Sequence, residues 1–256
     1  MSSLGIIFPD QLSENNLVYE HLKAEDDLLL YEPIETFYKH NHHKQKLVFL
    51  LASLRNLKEP LSLRFNVIHE KIKPKQTTYI ASYLKELFLK KDYEEIFVTK
   101  PGDYETLSEL MFFAQSHGKL LHILEDTKFI SHADDFKSWS DGKKSLVQEF
   151  YYRWLRKKHS ILMEGDKPIS GKWNLDKENR AGISKLKEIP PKRKKNITDS
   201  ITFDLMVEVE EIFPKSYGDL ENFNWAVTHK DAKKNLKYFL DKYLFCLLYT
   251  SPSPRD

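Results

Sequence analysis

LGIIFPDQLS, residues 4–13, decides how the rest of the chain is read. Its first five residues are an apolar run of the length of one buried strand. A proline, a carboxylate and an amide follow at once. A nucleotide pyrophosphate needs bare, glycine-rich backbone at such a strand-to-helix turn, and FPDQLS offers none. A ligand reaching this turn meets the Asp10 carboxylate, which accepts hydrogen bonds, and the neighbouring Gln11 amide.

Runs of the same kind recur outward from this stretch. DLLLYE (27–32), SLRFNVIHE (62–70), EEIFVTK (94–100) and KLLHILED (119–126) read as further strands. HHKQKLVFLLASLRNLKE (42–59), TTYIASYLKELFLKK (77–91) and DYETLSELMFFAQSHG (103–118) carry helical periodicity between them. In the first helix Leu47, Leu50, Leu51, Leu54 and Leu57 share a face, and the third stops at Gly118. Continuous apolar strands alternating with helices predict an α/β fold: a doubly wound, five-stranded parallel Rossmann-like sheet covered on both faces. Ligands of such sheets bind outside the carboxyl ends of the strands. That rule singles out Pro9 to Gln11, Glu32 to Tyr38 and Lys100 to Asp103.

The pattern changes near residue 132. HADDFKSWSDGKK reads as a short helix and turn, and SLVQEFYYRWLRKKHSIL as a long helix with Leu146, Phe150, Trp154 and Leu155 on one side. Residues 163–200 are rich in Gly, Pro, Asn and Lys and read as an irregular connector. Helical periodicity resumes over 200–214 and 228–245, with no internal repeat.

Composition narrows the function. Forty basic residues against 38 acidic ones give a net charge of +2, so a nucleic-acid site would have to be a local patch. The single cysteine, Cys246, excludes a disulfide framework and any cysteine-built zinc or iron–sulfur site in this chain. The N-terminus has no basic flank before its short apolar run, and no stretch approaches the roughly 18 apolar residues of a membrane span. A soluble cytoplasmic protein is expected. No P-loop, nucleophile elbow or HExxH motif is present.

Two clusters stay open on residues alone. His40, His42 and His43 precede a helix, but adjacent histidines point about 100° apart on a helix, which is poor metal-ligand spacing. The alternatives are a plain helix start capped by Asn41, or a polar ligand wall in which Lys44 and the helix start favour an anion or a ring carbonyl. KKSLVQEFYYRWLRKK (143–158) and PPKRKKN (190–196) mix or cluster basic residues and are candidate nucleic-acid contacts, through Lys192, Arg193, Lys194 and Lys195 in the second. More often the aromatics of such stretches pack inward and the lysines are solvated.

A resemblance adds weight. LMEGDKPISGKWNLDKENR (162–180) resembles the Gly-Arg-Trp-Asn-Phe-Asp-x-Glu-Asn-Arg signature of the photolyase-related proteins, the iron–sulfur bacterial cryptochromes and photolyases. Lys172 and Leu175 depart mildly from it. DQLS (10–13), HHKQK (42–46), KPGDYETL (100–107), LEDTKF (124–129), the helix at 145–158 and FPKSYGDLENFNWAVTHKDA (213–232) are similar to family segments in the same order.

The resemblance implies proteins that use blue light and reduced FAD to repair pyrimidine dimers in DNA by electron transfer, the (6-4) type among them, or that sense light. It implies an antenna domain over 1–130 holding 6,7-dimethyl-8-ribityllumazine. A connector over 131–199 and the start of a helical FAD domain over 200–245 follow. Residues 246–256 fit neither the family nor the preceding helix and are expected to be a non-native tail. FAD and a four-cysteine [4Fe–4S] cluster would belong to a C-terminal part beyond this chain, so the chain alone is expected to be an inactive fragment of a lyase. In this frame Asp10, Gln11, Glu32, Glu35, Tyr38, His43 and Lys44 become the expected chromophore contacts, with Tyr38 stacking on the ring. A monomer that meets damaged DNA and no membrane is expected. Exposed Leu236, Phe239 and Leu240 would favour aggregation. The rival expectations are a stand-alone α/β flavin- or nucleotide-binding module and a light-independent nucleic-acid-binding protein.

Overall fold

The computed structural model describes residues 2–74, 79–169, 171–173 and 194–244. In chain order the elements are β1 (Ser3–Ile7), α1 (Val18–His21), β2 (Asp27–Tyr31), α2 (Ile34–Lys39), α3 (Lys44–Asn56), α4 (Lys58–Ser62), β3 (Asn66–Glu70), α5 (Ile80–Lys90), β4 (Glu95–Thr99), α6 (Tyr104–Ser116) and β5 (Leu120–Leu124). There follow α7 (Ala133–Ser140), α8 (Gln148–Lys158), β6 (Met163–Glu164), β7 (Lys167–Pro168), α9 (Ser200–Ile212) and α10 (His229–Lys242).

The first five strands form one parallel sheet in the order β3-β2-β1-β4-β5, as the sequence predicts. Ile6 lies between Leu29 on β2 and Val98 on β4, which sets the register at the centre. β1 and β2 are buried along their whole length, which is why LGII and DLLLY carry no polar alternation. Gly5 is needed there: a Cβ would lie 2.6 Å from Leu22 Cδ1 and 2.7 Å from Val18 Cγ1, so α1 could not approach the sheet.

The third strand is shorter than its apolar run suggests. SLRF (62–65) is not extended; KEPLS forms α4 and turns into β3 at Asn66. Pro60 sits in the first turn of that helix, where its missing N–H costs nothing. The short α2, with Pro33 at its N-cap, went unpredicted because six residues carry too little periodicity.

The described residues divide into two compact units, one running to Lys128 and including Lys195–Ala232, the other covering Phe129–Lys194 and the residues from Lys233 onward. α9 thus belongs with the α/β unit. Its buried Leu205, Val209 and Ile212 join Leu47, Val48 and Leu51 of α3 in one cluster. Each such side chain contributes roughly 1.5–3 kcal/mol by burial. Asp199 caps α9 by accepting from Thr202 N at 2.7 Å. In the second unit, Phe136, Trp139, Tyr151 and Trp154 pack ring against ring between α7 and α8. Arg156 donates to the carbonyls of Ile161, Leu162 and Trp173 and fixes the turn after α8. Leu236 and Leu240 on α10 are exposed.

Candidate functional site

The order β3-β2-β1-β4-β5 reverses direction between β1 and β4, and there the crossovers part. A cavity of about 490 Å³ opens at that point. Phe8, Pro9, Pro33, Phe37, Leu50 and Pro101 give it flat apolar walls. Asp10, Gln11, Lys39, His40, His42 and Lys46 supply its polar side. A neighbouring cavity of about 410 Å³ shares Thr36, Lys39, Asp103, Glu105 and Thr106 with the first and adds Glu35, Tyr38, Tyr79 and Glu109.

Gln11 is the most constrained polar group of the first cavity, at 2% exposure. Its Nε2 donates to the Thr99 carbonyl at 3.0 Å and to the Lys100 carbonyl at 3.4 Å, which ties the β1 turn to the end of β4. Asn16 Nδ2 donates to the Gln11 carbonyl at 2.8 Å, and Thr99 Oγ1 donates to Asn16 Oδ1 at 2.9 Å. The fixed nitrogen turns Oε1 away from those carbonyls, and Oε1 is buried with no partner among the described residues. Asp10 beside it is exposed; its carbonyl accepts from Lys128, and its Oδ2 stands 3.6 Å from the place of a Cβ on Gly102.

The second cavity is acidic. Asp103 caps α6 by accepting from Thr106 N at 2.7 Å, which brings Glu105 and Glu109 onto the cavity side. Burial first, then the negative charges of Glu109 and Asp103, push the Glu35 carboxyl up to about 7. Burial, with Asp103 and Glu105, also raises Glu109, whose Oε2 is buried and unpartnered among the described residues. Lys39, held by Glu105, is the one lysine lining this cavity among the described residues.

Of the residues expected from sequence, Asp10 and Gln11 line the first cavity, and Glu35 and Tyr38 the second. Tyr38 donates its hydroxyl to the Ile212 carbonyl at 3.3 Å and tilts against Phe213. The structure does not bring Glu32, His43 or Lys44 to either cavity. Glu32 is 2% exposed and accepts from Arg55 Nε (2.8 Å), Arg55 Nη2 (3.0 Å), His69 Nε2 (2.9 Å) and Ile72 N (2.9 Å). His43, not Asn41, caps α3: its Nδ1 accepts from Gln45 N at 3.1 Å. Its ring fills the place of a side chain at Gly218, where a Cβ would fall 2.0 Å from Nε2 and φ is +84°. Lys44 pairs with Glu210 on α9. The neighbouring His40, His42 and Lys46 reach the first cavity instead, with Lys46 Nζ 3.2 Å from His42 Nδ1. The sequence reading missed Phe8 and Glu109, and Phe37 fell within a strand-end window without being singled out. The 3.6-residue period set by Asp103 as cap would have pointed to Glu109.

A family model described as deoxyribodipyrimidine photo-lyase-related protein matches residues 5–225. The chain belongs to that family. It is 33% identical over 247 residues to a (6-4) photolyase of Agrobacterium fabrum, a match covering 95% of this chain and 48% of the relative. The chain therefore spans about half the length of that relative. It is also 30% identical over 196 residues to uncharacterized protein R852 of Acanthamoeba polyphaga mimivirus, covering 72% of this chain and 96% of that protein.

Other segments that the family resemblance drew on are only partly described. Asn174–Arg180 of the signature, Lys192, Arg193 and the 246–256 tail lie outside the described residues. Lys194 sits over the Tyr238 ring at 4.7 Å, and Lys195 is exposed. On α8, Arg153 pairs with Glu149, Lys157 with Asp166 and Lys158 with Asp135. Those cations are engaged within their own unit, which weakens a phosphate-binding reading of 143–158. No helix among the described residues is long and apolar enough to cross a membrane.

Proposed function

We propose that this chain is the chromophore-holding half of a light-driven DNA-repair protein acting on pyrimidine lesions, the (6-4) type first, and that the paired cavities hold a ribityllumazine antenna. Family membership and the likeness to a (6-4) photolyase support the repair reading. The observation that carries the antenna reading is the cavity at the strand ends, lined by Gln11, whose Oε1 is buried without a partner among the described residues. A buried acceptor without a donor costs roughly 1–3 kcal/mol, and a ligand N–H or hydroxyl would supply the bond.

The residues fit such a group. Phe8 and Phe37 with three prolines offer flat faces to a ring. Asp10 and Gln11 accept from ring N–H or ribityl hydroxyls, while Lys46 and His42 face ring carbonyls. The cavity volume lies within the ordinary range for small-molecule sites, about 300–1,000 Å³. When bound, the chromophore would absorb blue light and pass the excitation to a flavin. The chain's own residues hold and orient it: Asn16 and Thr99 lock the Gln11 amide, and Asp103 fixes the start of α6. A four-cysteine cluster does not fit these residues, since one cysteine cannot supply four thiolates.

Titration of the chain with 6,7-dimethyl-8-ribityllumazine, followed by fluorescence polarisation, tests this, with FAD titrated in parallel. Saturable lumazine binding, weakened about tenfold (~1.4 kcal/mol) or more by Gln11→Ala, is the expected result. Saturable binding of FAD without lumazine would overturn it.

A further inference from the structure

The two cavities differ in what they can receive. The first has apolar faces for a ring, with Lys46, His40 and His42 on its polar side. The second is the more acidic: Glu35, Asp103, Glu105 and Glu109 line it beside Thr36, Tyr38 and Tyr79, and it is reached through residues common to both. A ring in the first would send a polyol tail into the second. We propose that this second cavity is a charge filter, which receives the uncharged hydroxylated tail of the chromophore and rejects ligands whose tail ends in a phosphate. This rests on the antenna reading above and goes on to name the ligand class that the site selects.

The groups facing the cavity come from each element around it. α2 contributes Glu35 and Lys39, the start of α6 Asp103, Glu105 and Glu109, and the N-cap of α5 Tyr79. Tyr31 of β2 lies beneath and donates to Glu35 Oε2 at 3.4 Å. The one lysine is already paired with Glu105. The carboxyls repel one another enough that Glu35 and Glu109 are both held above their ordinary range, after burial as the larger cause. A phosphate placed there would add negative charge to a site that already disfavours its own. Hydroxyl groups meet the opposite situation. Each ribityl O–H can donate to a carboxylate and accept from Thr36, Tyr79 or a protonated Glu35. Gln11, which lines the adjoining cavity, would lie at the ring end.

The test compares affinities of the chain for 6,7-dimethyl-8-ribityllumazine and its 5′-phosphate at low ionic strength. The phosphate is expected to bind at least about tenfold more weakly (~1.4 kcal/mol). The ratio should narrow in Glu109→Gln and Glu105→Gln and in high salt, because the penalty is Coulombic. Equal affinity, or a ratio unmoved by both substitutions, would overturn the filter and leave the antenna reading standing. Tighter binding of the phosphate would also overturn it and place the tail against Lys46 and His42. Binding of neither compound would overturn the antenna reading and the filter together.

Discussion

Glu32 and Glu35 are three residues apart at the end of β2 and have opposite fates. Glu32 faces inward and meets four donors, from Arg55, His69 and the Ile72 amide. Burial alone would raise its pKa, but the bonds from His69 and Arg55 outweigh burial and hold the carboxyl below its usual range. Glu35 faces a cavity shared with Glu109 and Asp103 and is pushed up to about 7. The first carboxylate is a structural anchor; the second accepts from Tyr31 at 3.4 Å and sits among like charges in a cavity. Perturbed, under-satisfied groups in a cleft mark sites, and saturated ones mark architecture.

The largest effect should come from breaking the anchor. Arg55→Ala leaves Glu32 buried with fewer donors and frees Glu208, which also pairs with Arg55 at 2.7 Å. A loss of roughly 3–5 kcal/mol in chemical denaturation is expected, and a change under 1 kcal/mol would sink the anchor role.

Next comes pH, where the two residues act with opposite sign. A depressed Glu32 contributes stability present above its unfolded value near 4.5 and lost as pH falls through its lower folded value. A raised Glu35 does the reverse: its contribution is full below 4.5 and is lost as pH rises through about 7. Partial solvent contact reduces the second effect to about 1 kcal/mol. Glu35→Gln should therefore flatten the fall in stability between pH 5 and pH 7.5, and an unchanged slope would contradict the assignment. Smallest is Tyr38→Phe, which removes a bond to the Ile212 carbonyl at 3.3 Å. About 0.5–1 kcal/mol in melting is expected; a larger loss would mean that the cavity rim is structural.

The sheet was legible because β1, β2 and β4 are continuous apolar runs, and a strand buried on both faces leaves no other signature. The windows at Pro9–Gln11 and Lys100–Asp103 followed from the strand-end rule, and all of the first and Pro101–Asp103 of the second line the first cavity. The partition of the acids was not legible. Glu32 is occupied by Arg55 and His69, 23 and 37 residues away, and no local pattern reports such a partner. His43 became a cap through Gly218, 175 residues on, while His40 and His42 turned to the cavity. α9 joined the first unit because its Leu205–Val209–Ile212 stripe matches that of α3, a pairing that separate amphipathic helices do not announce.

On the antenna reading, a ligand donor at the switch point of the sheet reaches the buried Gln11 oxygen. A crystal structure of the chain with 6,7-dimethyl-8-ribityllumazine tests it most directly. The ring should lie between Phe8 and Phe37 with a donor about 3 Å from Gln11 Oε1. A ligand bound elsewhere, or a Gln11 amide still without a partner, would contradict it.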